Sequence, residues 1–283
     1  MNYRHEFHAG NFADVVKHVT LSRIIAHLRA KPGAFRVIDT HAGAGLYDLA
    51  GPQASRTNEW RDGIARLLGA DLTTEVRELL SPYLDAVAAY NPAGTLTLTR
   101  YPGSPMLVRA WLRPADRLIA CELEPAAAAA LAANLTGRRA KALTIDGWTA
   151  ASAYVPPKER RGLVLIDPPF EAADDFTQLA AALNEAWRKW ATGIYLLWYP
   201  IKDRLGPDAL AKRLAKLRIG KILRAEVLVT RPTDPSRLNG CGLIIVNPPW
   251  KLEAELAVLL PALVACLQQG SGSFRLEWLA RES

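Results

Sequence analysis

Gly162-Leu163-Val164-Leu165-Ile166-Asp167-Pro168-Pro169-Phe170 is the stretch on which the fold turns. From Gly162 to Ile166 the run is apolar and rich in branched side chains, the pattern of a parallel strand buried on both faces. Proline has no N–H to offer a neighbouring strand, so the strand stops at Asp167. Ligands of open α/β sheets sit beyond the carboxyl ends of the strands. An acid, a proline carbonyl and an aromatic ring therefore stand on the edge where chemistry is expected.

Those groups suit one reaction. The exocyclic amine of adenine or cytosine is a poor nucleophile, because its lone pair is conjugated into the ring. Asp167 and the Pro168 carbonyl can each accept one amine hydrogen, and Phe170 can stack on a base turned out of its helix. A methyl sulfonium held in line would be attacked directly, with positioning and hydrogen bonding as the catalysis. The same residues also make a plain rigid turn, so their neighbours must decide.

Three other apolar strands end in acids. Ala34–Ile38 runs into Asp39, followed by Thr40-His41-Ala42-Gly43-Ala44-Gly45. Arg117–Cys121 ends at Glu122, and Leu143–Ile145 at Asp146-Gly147. Acids at the ends of neighbouring parallel strands form a row; Glu122 suits a ribose diol and Asp146 a nucleoside amine. Gly43 and Gly45 let backbone approach a ligand, yet the third glycine of a dinucleotide fingerprint is missing, since position 48 is Asp. A dinucleotide-dependent dehydrogenase is disfavoured.

The rest of the chain frames this edge. Asn11 is placed to cap a helix that carries Val15, Val16, Val19, Ile24, Ile25 and Leu28 to about Lys31. Lys17 and His18 in its second turn read by themselves as solvated or helix-packed. Residues 51–57 read as loop, 58–69 and 73–90 as helices, and 95–100 as a strand. After Phe170 come a helix from Asp174 to Trp190, the strand Gly193–Tyr199, a helix from Pro207 to Leu217, and the strands Lys221–Val229 and Gly242–Val246. The last two, joined without a helix, are expected to pair antiparallel. A helix from Leu252 to Leu267 and a strand from Phe274 to Leu279 follow. Asn247-Pro248-Pro249-Trp250 imitates the Asp167 stretch, but it ends a late strand beyond the antiparallel turn and reads as structural.

Half of the 283 residues are apolar, enough for a sizeable core. The net charge of +7 favours a polyanionic partner. The longest apolar run, Leu256–Leu267, is broken by Pro261, and the first residues lack a signal-peptide core, so a soluble cytoplasmic protein is expected. Three scattered cysteines argue against disulfides and a cysteine zinc site. His5 and His8 lack further ligands at metal-binding spacing, so no metal is expected.

Taken together, the N-terminal block from Tyr3-Arg4-His5 through Asp14 to Lys17-His18, Asp39-Thr40-His41-Ala42-Gly43-Ala44-Gly45, Tyr101-Pro102-Gly103-Ser104-Pro105, Asp167-Pro168-Pro169-Phe170 and Asn247-Pro248-Pro249-Trp250 resemble the ribosomal RNA large subunit methyltransferase J family. The resemblance runs from end to end. It implies an α/β class I (Rossmann-like) methyltransferase sheet, mostly parallel with an antiparallel strand near the C-terminus. The methyltransferase domain would span residues 1–45 and 101–283, with residues 46–100 a small helical insertion, either an RNA-recognising subdomain or a structural elaboration. The implied activity is methylation of adenine N6 in 23S ribosomal RNA by S-adenosylmethionine, giving S-adenosylhomocysteine, by a monomer. Asp167, Pro168 and Phe170 would act on the amine and base. His18, His41, Gly43, Ser104, Glu122, Asp146, Gly147 and Asp167 would contact the cofactor, and Tyr3, His5 and Lys17 the RNA. The family usually carries tyrosine where this chain has Phe170. A DNA adenine methyltransferase and an RNA-binding protein without catalysis are the alternatives.

Overall fold

The computed structural model describes residues 4–92 and 98–281. Its strands, in chain order, are β1 (Arg36–Asp39), β2 (Leu46–Asp48), β3 (Arg100–Pro102), β4 (Arg117–Glu122), β5 (Ala140–Thr144), β6 (Gly162–Ile166), β7 (Ile194–Ile201), β8 (Ile222–Leu228), β9 (Gly240–Val246) and β10 (Ser273–Ala280). Eight of them form one sheet in the order β10-β8-β9-β7-β6-β1-β4-β5. Neighbours from β5 to β7 pair in parallel, and β9 runs antiparallel to both β7 and β8. The terminal β10 is antiparallel to β8, so two reversed strands close the sheet where one was expected.

After β1 the chain builds outward through β4 and β5, then returns to place β6 on the other side of β1. The strand order reverses between β1 and β6, the crevice where open α/β sheets bind ligands. β6 is apolar at every position because both faces are covered. Leu163 and Leu165 join one core, and Val164 and Ile166 the other.

The helices are α1 (Phe12–Arg29), α2 (Pro52–Thr57), α3 (Ile64–Leu68), α4 (Thr74–Ala88), α5 (Ser104–Trp111), α6 (Pro125–Asn134), α7 (Gly147–Ala153), α8 (Asp175–Lys189), α9 (Leu205–Lys216) and α10 (Leu252–Leu267). α1, α5, α6 and α10 supply the core on one face of the sheet, α8 and α9 most of it on the other. Among the described residues no helix is long and apolar enough to cross a membrane.

Asn11 caps α1 as expected, accepting from the Asp14 N–H at 3.0 Å. The helix then departs from expectation. It is buried along nearly all its length, with Val15, Val16, Leu21, Ile24 and Ile25 at 0% exposure, because α4, α5 and α10 enclose it.

Residues 52–57 form α2 rather than loop; Pro52 sits at the first helical position, where its fixed φ favours a helix start. The helix expected over 58–69 is a 3₁₀ turn, Glu59–Asp62, and the short α3, parted at Gly63. There the N-terminal backbone lies against the chain: Ile64 N–H donates to the Gly10 carbonyl at 2.9 Å. A Cβ on Gly63 would stand 2.1 Å from that carbonyl oxygen. The strand expected over 95–100 falls partly outside the described residues; β3 begins at Arg100 and pairs antiparallel with β2, which went unforeseen.

Candidate active site

The sheet order brings the carboxyl ends of β6, β1, β4 and β5 side by side, and with them Asp167, Asp39, Glu122 and Asp146. A cleft of about 1220 Å³ lies over this edge and is lined by three of the four acids. Asp39 lies beneath it, fully buried, and accepts a hydrogen bond from Ser104 Oγ at 2.7 Å. Its other oxygen is buried without a partner among the described residues. Burial pushes its carboxyl up to about 7, against the Ser104 bond, with Asp167's charge adding to the rise. Asp39 thus anchors Ser104, at the start of α5, from below.

Glu122 organises the glycine loop. One oxygen accepts from Gly43 N–H at 2.9 Å, and the other from the N–H groups of Leu123 and Glu124, both at 2.8 Å. Three donors leave acceptor capacity on this carboxylate for a diol. Asp146 caps α7 through one oxygen, which takes the Thr149 N–H and Oγ, each at 2.8 Å.

Backbone comes close to ligand space here because side chains are absent. A Cβ on Gly147 would lie 2.4 Å from both His41 Nε2 and the Thr40 carbonyl. Gly43 has φ +60°, and a Cβ there would lie 2.2 Å from the Tyr47 hydroxyl. His41 is held through Nδ1 by Thr40 Oγ at 2.8 Å and meets Trp148 edge-on. Burial lowers its pKa to about 4, so it is neutral near pH 7. Free carboxylate capacity, close-set glycines and neutral imidazoles fit a cationic nucleoside such as S-adenosylmethionine.

At β6 the row meets a buried charge cluster. Lys17 is 4% exposed, and its ammonium contacts Asp167 Oδ2 and, at 2.9 Å, Asp14 Oδ1. Asp14 Oδ2 takes His5 Nε2 at 3.0 Å and the Gly10 N–H at 2.9 Å. Burial opposes charge on both groups. The cations around Asp14 nevertheless hold its carboxyl well below the usual range, and the two carboxylates hold Lys17 well above its own. Asp167 therefore rests against a fixed cation. Lys17 was read by itself as solvated or helix-packed; it is buried, with its ammonium at the centre of this cluster.

Next to Lys17, His18 is 1% exposed. Its Nδ1 bonds the Tyr101 hydroxyl at 2.7 Å, and burial lowers its pKa to about 3. Beyond Asp167, no described residue donates to the Pro168 carbonyl. Phe170 packs its ring against Phe176 at 4.8 Å and Trp198 at 5.8 Å between centroids. Its φ of +52° is a left-handed conformation that a bulky side chain adopts only under constraint.

One cleft thus lines up His5, Lys17, His18, His41, Gly43, Ser104, Glu122, Asp146, Gly147 and the Asp167–Phe170 turn. Tyr3 lies outside the described residues. Asn247 stands apart: β9 runs backwards, pairing Val246 with Tyr195 at the start of β7. Sequence reasoning gave Asp14 no role in the site, and overlooked Tyr101, Trp148 and Trp198. Asp14, Lys17 and His18 share a helix face by their spacing of three and four residues, a charged face on an apolar helix that was legible in advance.

A sheet that reverses between β1 and β6, with an acid-lined cleft at that reversal, defines a Rossmann-like α/β protein with its ligand crevice at the switch point. A family model described as "Ribosomal RNA large subunit methyltransferase D, RlmJ" matches residues 32–280. Proteins called ribosomal RNA large subunit methyltransferase J from Haemophilus influenzae and Escherichia coli are 37% and 39% identical, each over the full length of both chains. A crystal structure of a Legionella pneumophila protein superposes with a TM-score of 0.86 at 33% identity, covering 95% of this chain and 98% of that one. The chain belongs to the ribosomal RNA large subunit methyltransferase J family.

Proposed function

We propose that this protein methylates N6 of a specific adenine in 23S ribosomal RNA, with S-adenosylmethionine as methyl donor. The observation that carries the reading is the Asp167 carboxylate at the end of β6, pinned through one oxygen by Lys17. Beside it are the Pro168 carbonyl, which accepts no hydrogen bond from the described residues, and the acid-lined half of the cleft. His18, His41, Gly43, Ser104, Glu122, Asp146 and Gly147 would hold the cofactor. When bound, it supplies an electrophilic methyl group on a sulfonium.

The remaining work falls to the chain's own side chains. Lys17 occupies Oδ2 of Asp167 and leaves Oδ1 for one hydrogen of the target amine. The Pro168 carbonyl takes the other, and the amine lone pair is freed from the ring. Asp167 then accepts the proton that the amine sheds as its new bond forms. Phe170 supplies a ring face for the base, which needs no hydroxyl, so phenylalanine suffices where the family usually has tyrosine. This chemistry calls for no metal. In the same reading residues 46–100 meet the RNA together with Tyr3 and His5, and the protein works as a cytoplasmic monomer.

Radiolabelled S-adenosylmethionine and unmodified 23S RNA incubated with the purified protein are expected to give N6-methyladenosine on nucleoside mass spectrometry. Product from adenine in DNA but none from this RNA would replace the reading with a DNA methyltransferase. Tight RNA binding with no methylated nucleoside of any kind would leave a binding protein.

A further inference from the structure

His18 has two nitrogens in different surroundings. Nδ1 is bonded to the Tyr101 hydroxyl at 2.7 Å, and that hydroxyl is bonded to the Tyr83 hydroxyl at 2.9 Å. Nε2 is buried and has no hydrogen-bond partner among the described residues, while the side chain as a whole lines the cleft. Asp14 Oδ1 lies 4.0 Å from Nε2. Tyr83 lies on α4 and Tyr101 on β3, so a hydrogen-bonded chain runs from the helical insertion to the cleft.

Two proton arrangements are open to this chain. In the first, Nδ1–H donates to Tyr101, Tyr101 to Tyr83, and the Tyr83 proton has nowhere to go. Both tyrosines are 0% exposed, and among the described residues the Tyr83 hydroxyl has Tyr101 as its only partner. A buried hydroxyl proton left unbonded costs about 1–3 kcal/mol. In the second, Tyr83 donates to Tyr101, Tyr101 donates to Nδ1, and the ring proton sits on Nε2. Every hydroxyl proton is then used, and the proton left without a bond is the Nε2–H, which lies 4.0 Å from the ionised Asp14 on a side chain that lines the cleft, instead of a hydroxyl proton closed in the core. Both considerations favour the second arrangement.

We propose that Tyr83 and Tyr101 form a hydroxyl relay that fixes His18 as the Nε2–H tautomer, a neutral donor aimed at the carboxylate of the cofactor's methionine moiety. Tyr101 is a positioning residue, acting through His18. The carboxylate assignment rests on the cofactor reading above; the tautomer does not. A neutral donor suits this place, since the cluster already holds the Lys17 cation and a second full charge would repel it.

Nitrogen-15 NMR of histidine-labelled protein without ligand tests the relay directly. His18 is expected to show a pyrrole-type Nε2 and a pyridine-type Nδ1, and the reverse assignment overturns it. In Tyr101→Phe the two nitrogens are expected to move toward an averaged pair, whereas Tyr83→Phe, which keeps the Tyr101 bond, retains the tautomer. A His18 spectrum unmoved by Tyr101→Phe also overturns the relay. Calorimetry with two probes tests the carboxylate. S-adenosylhomocysteine is expected to bind Tyr101→Phe about tenfold more weakly than wild type, or about 1.4 kcal/mol. 5′-Methylthioadenosine, which lacks the amino acid, is expected to bind both equally. Equal losses for both probes overturn the carboxylate assignment. Wild-type protein that binds neither probe overturns the cofactor reading, with the tautomer already decided by the spectrum.

Discussion

Asp167-Pro168-Pro169-Phe170 and Asn247-Pro248-Pro249-Trp250 end buried strands with nearly the same letters, on opposite edges of one sheet. β6 points its end at the cleft, and β9, antiparallel to β7, points its end away. Asn247 spends its amide on the carbonyls of Ala191 and Gly193, at 2.8 and 2.7 Å. Trp250 is 78% exposed and carries the Lys251 ammonium over its ring. Both turns contain a left-handed residue at φ +52°, Phe170 in one and Asn247 in the other. Asparagine tolerates that conformation and phenylalanine does not. Of the two turns the strained one is at the cleft, and strand direction, not motif, separates it from the turn that points away.

The strongest way to break the contrast is to remove each turn's first side chain. Asp167→Ala is expected to lower methyl transfer by roughly 10²–10⁴-fold, the usual worth of a positioned acid–base group. Asn247→Ala is expected to leave turnover within about twofold and to cost about 1–2 kcal/mol in urea denaturation through two lost hydrogen bonds. Comparable activity losses for the two would erase the distinction.

Next in size is the cation behind Asp167, which has no counterpart at the other edge. Lys17→Met leaves two carboxylates without their buried partner and is expected to cost about 3–5 kcal/mol of stability. A denaturation midpoint like wild type's would mean that the cluster contributes no net stability.

The aromatic members give a smaller contrast. Phe170→Ala is expected to lose about 1–3 kcal/mol of base stacking, read as kcat/KM on RNA. Phe170→Tyr is expected to stay within about threefold, and Trp250→Ala to match wild type. Equal rates for Phe170→Ala and Phe170→Tyr would remove the stacking role.

The smallest effect is in the pH dependence. The folded protein keeps His18 and His41 neutral, with pKa values near 3 and 4, against an ordinary 6.5. The unfolded chain binds more protons in that window, so these groups lower stability as pH falls below 6.5. Asp39, raised to about 7, acts in the opposite sense: the folded state holds its proton, and that contribution is lost as pH rises from 3.8 toward 7. Two histidines against one carboxyl predict a net decline of the urea midpoint between pH 6.5 and 4. A rising midpoint would contradict the burial of these rings. All three groups lie at the Asp167 edge.

The parallel half of the sheet and its row of acids were legible because each strand is a short apolar run closed by an acid, a glycine or a proline. The roles of Lys17 and His18 were not. A lysine in a second helical turn ordinarily faces water, and only the enclosure of α1 by α4, α5 and α10 turns it inward. That enclosure comes from elements that begin at Thr74 or later, far beyond Lys17 in the chain. Residues 51–57 were misread because glycine and proline were weighed as turn formers, whereas proline at the first position also opens a helix. Asn247 was placed correctly from strand order, before any side-chain contact was known.

Lys17 and Asp167 are separated by 150 positions in the chain. A nascent polypeptide extending through Asp146 already contains the glycine loop and three of the four acids, yet it lacks Asp167, the carboxylate that faces the Lys17 ammonium. On the proposed reading, the reactive centre is therefore complete only once synthesis has passed Asp167, beyond the midpoint of the 283-residue chain.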